Sequence, residues 1–404
     1  FCAKTVLCCQ KYGQLAHIPK VKRDLRVGPS TCQEELGFDT RGEMSPNPYD
    51  ADRGCLGSTV GGGKAVGAGA APVVTASDLG NSTGGPAHAS GGTGFKGGRD
   101  ETGRSFIPRQ GSAYEDSGMC DMGLIGNNMS SIVDVLQHMT EVPPTAESLN
   151  FLNSTIAVDS GSLRNVVDPE VAEKILEAVA IWKQTNSAHG FYEVDVMSLL
   201  TSLGNNNALM AMLAHAGLAG REELGVFNNA LSDEQRRNAS ASLTAKIATA
   251  GQIQPGQERR CEIVKLQMEQ RFESLYEHGV KFVILPTCNK VAQPVSWWRR
   301  RFDSSDPKLT FQYSQISSYA NMGRLPRATI PIGHPHGNNG NDHMPTSLSI
   351  MATSNKVDPW ELIAVGRELE LICRQHDELK LNRPEFYIYE QLAAARDRRK
   401  AQQA

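Results

Sequence analysis

The sequence predicts an α/β protein, on three observations. Residues 280–287, VKFVILPT, are apolar apart from Lys281 and Thr287, and the apolar run ends at a proline, which is typical of a strand buried on both faces. Asp168 and Pro169 precede apolar residues at helical spacing, and Asp358 and Pro359 stand at the start of a second helical segment. With 404 residues, of which 40% are hydrophobic, the chain is long enough to bury a large core.

Three more helices are predicted outside these segments. Residues 21–26 form a short basic helix, and Ser232 caps a helix with an acidic first turn. Residues 257–279 form a long helix, charged on one side, that ends at Gly279 as its C-cap. The region 140–270 is therefore expected to be helical.

Charge and composition argue against several classes of function. The net charge of -3 and the pI near 6.4 do not provide the excess of positive charge that binding to nucleic acid or to an anionic membrane requires. The longest apolar runs are far shorter than a helix that spans a bilayer. Nine cysteines without a CxxC pair favour free thiols in a reducing compartment over a disulfide framework or a zinc site. These features predict a cytoplasmic protein.

Glycines are concentrated in residues 53–96, where they stand among Ser, Thr and Asp. Glycine lets backbone N–H groups approach a ligand closely. Here such groups surround two hydroxyls, Ser58 and Ser82, as an oxyanion site with a serine nucleophile requires. A phosphate-binding P-loop fails at both anchor positions, and the G-x-G-x-x-G spacing of dinucleotide sites is missing. The apolar run at 65–74 argues against a solvated linker. Acyl transfer is the favoured chemistry.

At residues 47–96 the chain resembles the amidase signature family. The family pattern, roughly N-P-[WY]-D-x-x-R-x-x-G-[GS]-S-S-G-G…[ST]-D-[LIT]-G-G-S-[IV]-R…G-[FL]-K-P, runs here without a gap. Two later segments follow in the family's order. Residues 319–333 resemble N-x-x-G-x-P-[AS]-[IV]-[ST]-[VI]-P-[IV]-G, and residues 344–351 resemble G-x-P-x-[GS]-[LV]-[QH]-[IL].

The resemblance covers residues 31–136 and 275–375, with 140–270 as a variable helical region. It implies one large domain over 1–404, with a mixed β-sheet surrounded by helices. In the family, the catalytic lysine and the bridging serine are separated by more residues than precede Ser58 in this chain. The resemblance therefore leads us to expect that N-terminal residues are missing relative to the relatives.

The resemblance also implies roles for particular residues. Ser82 falls on the family's nucleophile, and Ser58 on a bridging serine that is similar to one held on a cis peptide in relatives. Leu79, Gly80 and Asn81 would supply the backbone N–H groups of an oxyanion hole. The implied reaction is hydrolysis of a linear amide through an acyl-enzyme intermediate, with no metal or organic cofactor.

Several positions depart from the family pattern. Asn81 replaces a glycine, Thr83 and Gly84 replace an aliphatic residue and an arginine, Val60 replaces a glycine, and Gly97 replaces a proline. Asparagine tolerates the left-handed conformation better than most residues, so we expect Asn81 to fit the turn.

The relay from Ser58 needs a base, which in the family is an unprotonated lysine after a strand. Two candidates remain open. Lys4 has an apolar, strand-like setting. Lys22 lies in a segment that is similar to the family's, but Arg23 stands at the position of the family's lysine, and an arginine does not give up its proton. Without a clean counterpart the chain is predicted to be impaired or inactive as an amidase. Thr59 is the alternative to Ser58 as the bridging residue.

Other functions compete with amide hydrolysis. One is a catalytically silent relative that binds or scaffolds, and another is the amidase subunit of an amidotransferase. His334, His336 and His343 lie in a Gly/Asn loop and could bind a metal, but an exposed polar loop is favoured. The expected partner is a small-molecule amide, with no nucleic acid and no membrane span, and a homodimer is left open.

Overall fold

The computed structural model describes residues 2–4, 28–30, 46–110, 117–140, 143–145, 148, 153–196, 218–219, 221–222, 224–225, 255–304, 319–336 and 340–384. For residues 2–4, 28–30, 255 and 301–304 the description is of the backbone. The helices predicted at 21–26 and after Ser232 lie outside the described residues.

The described strands form one mixed sheet. In chain order they are β1 (Cys2–Lys4), β2 (Gly28–Ser30), β3 (Val73–Asp78), β4 (Thr93–Lys96), β5 (Asp121–Gly126), β6 (Thr155–Asp159), β7 (Gly190–Val194), β8 (Phe282–Pro286), β9 (Arg327–Pro331) and β10 (Ser347–Ala352). Across the sheet the order is β2-β1-β3-β5-β4-β9-β10-β8-β6-β7. Pairing is antiparallel from β3 to β8 and parallel at both ends of the sheet. The predicted mixed sheet is confirmed.

Helices surround this sheet. Those with described bounds are α1 (Val60–Gly67), α2 (Gly84–Ser90), α3 (Met129–Met139), α4 (Ser160–Asn165), α5 (Pro169–Thr185), α6 (Pro255–Glu277), α7 (Val295–Ser304), α8 (Tyr319–Met322), α9 (Pro359–Gln375) and a 3-10 helix, Asp377–Leu379. The prolines that begin α5 and α9 are the ones that the sequence indicates. The predicted long helix is α6, and Gly279 follows it with a φ of +87°. No helix in the part of the chain that the structure describes has the length and apolar character needed to cross a bilayer.

The central strands are buried on both faces. Every residue of β3, β5, β8, β9 and β10 is buried. Helices α1 and α2 pack on one face, and α3 and α9 pack on the other. The segment predicted as a buried strand, 280–287, contains β8, and the burial of β8 on both faces of the sheet explains why its five residues are all apolar.

A row of polar side chains crosses the face that lies under α2. Ser349 Oγ is 3.3 Å from Thr329 Oγ1 and 2.9 Å from Thr287 Oγ1. All three side chains are buried. Buried hydroxyls are expected to pair, as these do, and the turn into α2 lies beside this row.

Candidate active site

The turn from β3 into α2 carries Ser82. Asp78 ends β3, and its carboxylate accepts the backbone N–H of Asn81 on Oδ1 and that of Thr83 on Oδ2, each at 2.8 Å. Asn81 has a φ of +73°, so the prediction that asparagine fits this turn is confirmed. The Asp78 carboxylate therefore holds the peptide N–H groups on both sides of Ser82.

Asp78 is fully buried and ionised. Burial by itself raises its pKa, but the charges of Arg327 and Lys96 and hydrogen bonds from Asn321 and Thr83 lower the pKa of Asp78 to about 2. Arg327 Nη2 lies 2.9 Å from Asp78 Oδ2, and Asn321 Nδ2 donates to Oδ1 at 3.0 Å. An ionised carboxylate accepts stronger hydrogen bonds than a neutral one, so the turn is held firmly at neutral pH.

Lys96, at the end of β4, is a buried counter-ion beside the turn. Its Nζ lies 3.0 Å from Asp121 Oδ2 and donates to the carbonyl of Ala320 at 2.8 Å. Asp121 is paired with Asp78 in the register of β5 and β3. Lys96 therefore offsets the charge of two neighbouring carboxylates.

The two predicted serines meet in the structure. Ser58 Oγ lies 3.0 Å from Ser82 Oγ, and the N–H of Ser58 lies 3.3 Å from the same oxygen. The peptide bond between Gly57 and Ser58 is cis. Thr59 is buried, and its Oγ1 makes no hydrogen bond within the described residues. The structure thus places Ser58 Oγ, and not Thr59 Oγ1, within hydrogen-bond distance of Ser82 Oγ.

The side chain of Asn81 also connects the turn to the segment that follows β8. Its Nδ2 donates to the carbonyl of Thr287 at 3.1 Å and lies 3.7 Å from Cys288 Sγ. Burial raises the pKa of the Cys288 thiol, so the sulfur stays neutral. The side chain of Asn81 therefore fixes the turn against the segment that follows β8.

Leu79, Gly80 and Asn81 directly precede Ser82 in this turn. The N–H of Asn81 donates to Asp78 Oδ1, so it would serve an oxyanion as a shared donor. The oxyanion hole remains a prediction.

Sequence reasoning misses Arg327. Its side chain is 1% exposed, yet it is the first residue of the otherwise uncharged strand RATIP. A lone charge in a strand that is predicted to be buried is the signal that indicates such a residue, because a buried charge needs a partner.

Three histidines in the loop after β9 each contact a different residue. The pairs are His334 with the N–H of Asn382 at 3.0 Å, His336 with Glu177 at 2.9 Å, and His343 with Asp50 at 3.1 Å. Among the residues that the structure describes, no group of three or more His, Cys, Asp or Glu side chains is placed to hold a metal ion.

The family model described as Amidase matches residues 32–356, which is most of the chain. The chain belongs to the amidase family. Its mixed sheet with surrounding helices is the fold that the resemblance at residues 47–96 implies. Amidase-family proteins are amide-hydrolysing enzymes, so the enzyme class predicted from the sequence is confirmed.

Solved structures share this fold. A 6-aminohexanoate cyclic dimer hydrolase is 17% identical with a TM-score of 0.69, and the match covers 91% of this chain and 79% of that chain. A bacterial aryl acylamidase of the amidase signature family is 14% identical with a TM-score of 0.70, covering 92% and 81%. A glutamyl-tRNA(Gln) amidotransferase chain from Thermotoga maritima is 16% identical with a TM-score of 0.65, covering 95% and 86%. The search of curated proteins found no match.

Proposed function

We propose that this amidase-family protein hydrolyses a carbon–nitrogen amide bond through a covalent intermediate on Ser82. The observation that carries the proposal is the 3.0 Å contact between Ser82 Oγ and Ser58 Oγ. A nucleophile and a proton-transfer group within hydrogen-bond reach of each other are what a serine acyl-enzyme mechanism requires.

Acylation begins when Ser82 Oγ attacks the carbonyl carbon of the amide. The proton of Ser82 passes to Ser58 Oγ, and Ser58 gives its own proton to the departing nitrogen. The C–N bond breaks, the amine leaves, and an acyl ester remains on Ser82. We propose that the N–H groups of Leu79, Gly80 and Asn81 bind the oxyanion that forms on the way.

Deacylation uses the same groups in reverse. A water molecule attacks the ester carbonyl and gives a proton to Ser58 Oγ, while Ser58 returns a proton to Ser82 Oγ. The ester bond breaks, and a carboxylic acid leaves. Each proton and each bond is accounted for by the two serines and water, and the mechanism uses no cofactor.

We propose Lys4 as the base that makes this relay fast. Strand β1 runs parallel to β3 with Cys2 opposite Val74. Two residues further along both strands, Lys4 is therefore level with Ala76, close to the end of β3 from which the Ser82 turn starts. Lys22 lies outside the described residues. A lysine can act as a base when its surroundings lower its pKa. With Lys4 as the proposed base we expect turnover, whereas a chain that lacks a base is expected to be impaired.

The proposed substrate is a small linear amide. One of the solved relatives is an aryl acylamidase, so a simple aryl amide is the first compound to test. A catalytically silent binding or scaffold protein would not turn it over. A member of an amidotransferase complex would deliver the ammonia that it releases to a partner.

The experiment is steady-state hydrolysis of an aryl amide by the parent protein and by two alanine variants. We expect the parent to turn over at rates on the order of 10 per second. Ser82→Ala should lower kcat by roughly 10⁴-fold or more, because the nucleophile is lost. The thermal midpoint should stay nearly unchanged, because the substitution removes a single oxygen atom.

Ser90→Ala is the matched control. Ser90 is a buried serine on the same helix, α2, and its Oγ donates to the carbonyl of Pro86. Its loss should leave turnover close to the parent rate. Parental turnover by Ser82→Ala, or no turnover by the parent, would contradict the proposed function.

A further inference from the structure

Three of the positions at which this chain departs from the family pattern meet in space. Asn81 stands where the pattern has glycine, Gly84 where it has arginine, and Arg327 where it has alanine or serine. Arg327 lies on β9, a distant part of the chain, yet its Nη2 is 3.0 Å from the place where a Cβ on residue 84 would stand. The guanidinium thus occupies space that a side chain at residue 84 would take.

The three residues depend on one another sterically. A Cβ at residue 84 would overlap Asn81 Oδ1 and would crowd Arg327 Nη2 and Thr329 Oγ1, each at 3.0 Å. Only glycine at residue 84 leaves room for both neighbouring side chains. The asparagine, the glycine and the arginine therefore form one packed unit.

The arginine of this unit also forms a buried ion pair with Asp78. Asp78 is 0% exposed and Arg327 is 1% exposed, and their side chains form an ion pair with 2.9 Å between Oδ2 and Nη2. A buried carboxylate needs such a partner, because an unpaired buried charge is costly. The same carboxylate holds the N–H groups of Asn81 and Thr83, which flank the nucleophile.

We propose that Arg327 is a positioning residue that takes the place of the arginine missing at Gly84. Its guanidinium fixes the Asp78 carboxylate and, through it, the turn that presents Ser82. The inference rests on the proposed function of Ser82 as nucleophile. It means that the altered signature of this chain is a compensated arrangement in which the positive charge has moved from α2 to β9.

The test moves the guanidinium back to α2. Three proteins are compared: the parent, Arg327→Ala, and the triple variant Asn81→Gly/Gly84→Arg/Arg327→Ala, which restores the family pattern at all three positions. The readouts are the rate of labelling by a fluorophosphonate, kcat and KM separately on an aryl amide, and hydrogen exchange of the peptide that holds residues 79–83.

Arg327→Ala should label about 100-fold more slowly than the parent, because a displaced turn misplaces the nucleophile. The loss should appear in kcat more than in KM, and exchange at 79–83 should accelerate. The triple variant should recover labelling to within about tenfold of the parent and should restore protection at 79–83. A role limited to overall stability would not predict recovery that follows the guanidinium.

Arg327→Lys provides a conservative control, since it keeps the charge but loses the planar fork, and its labelling should fall between those of the parent and Arg327→Ala. Parental labelling by a folded Arg327→Ala, or a folded triple variant no faster than Arg327→Ala, overturns the proposal. If Arg327→Ala does not fold, a folded triple variant decides by its labelling: within tenfold of the parent supports the proposal, and slower overturns it.

Failure of the proposed function gives a different pattern. In that case the parent itself does not label, and hydrogen exchange still decides the positioning role. Exchange at 79–83 that rises in Arg327→Ala and is restored in the triple variant supports it, and exchange that stays unchanged in Arg327→Ala overturns it.

Discussion

His88 on α2 links the stability of this fold to pH. Its ring is fully buried and uses both nitrogens. Nε2 lies 3.1 Å from the carbonyl oxygen of Lys290, and Nδ1 accepts the N–H of Ser347 at 3.2 Å. A neutral ring with its proton on Nε2 satisfies both contacts, whereas a proton on Nδ1 would point at the N–H of Ser347. Burial lowers the pKa of His88 from 6.5 to about 4, although the hydrogen bond to Lys290 acts in the opposite direction.

The sign of the effect follows from this lowered pKa. Between pH 6.5 and about 4 the unfolded chain takes up a proton on His88 that the folded chain does not. The stability that depends on the neutral ring is complete above pH 6.5 and is lost as the pH falls toward 4. At about 1.36 kcal/mol per pKa unit, the loss amounts to about 3 kcal/mol of unfolding free energy.

His88→Gln removes this titration. The free energies of unfolding of the parent and the variant are measured by denaturant titration at about pH 7.5 and about pH 4.5. Between the two conditions the parent should lose about 2 to 3 kcal/mol more than His88→Gln. His278→Gln is the control, because the exposed ring of His278 contacts only a local carbonyl, that of Ser274, among its described hydrogen bonds. Equal losses in the parent and in His88→Gln would refute the reasoning.

Two further predictions concern proton transfer. Ser58→Ala should slow acylation without abolishing it, because the Ser82 hydroxyl remains; a larger loss of labelling rate in Thr59→Ala would assign the relay to the threonine instead. Lys4→Ala should lower kcat on an aryl amide by roughly 10² to 10⁴-fold, as expected for loss of a general base. The kcat of Lys22→Ala should stay close to that of the parent, and a larger loss in Lys22→Ala than in Lys4→Ala would make Lys22 the base.

The parts of the site that are close in sequence could be predicted. Asp78, Asn81 and Ser82 lie within one turn, and the spacing from Asn47 to Ser58 and onward runs without a gap in the family pattern. The gapless match to this pattern therefore identified Ser58 and Ser82, whose Oγ atoms lie 3.0 Å apart in the structure. The strand β8 and the helix starts at α5 and α9 could be predicted for the same reason, since their signals are local.

Long-range pairings could not be predicted in this way. Asp78 and Arg327 are separated by 249 residues, and their contact depends on β4 and β9 becoming neighbours in the sheet. His88 likewise meets Lys290 and Ser347 only after the strands have assembled. The order of strands is set by packing between distant segments, which local spacing does not indicate. The lone charge of Arg327 is visible in the sequence, but its pairing with Asp78 beside the Ser82 turn could not be predicted.

The claim that Ser82 is the nucleophile is tested most directly by locating a covalent adduct. The parent protein is treated with a fluorophosphonate, which reacts with activated serines, and its peptides are mapped by mass spectrometry. We predict one adduct, on Ser82, and no adduct in Ser82→Ala. An adduct on Ser58 or on any other residue, or an unmodified parent, would contradict the account.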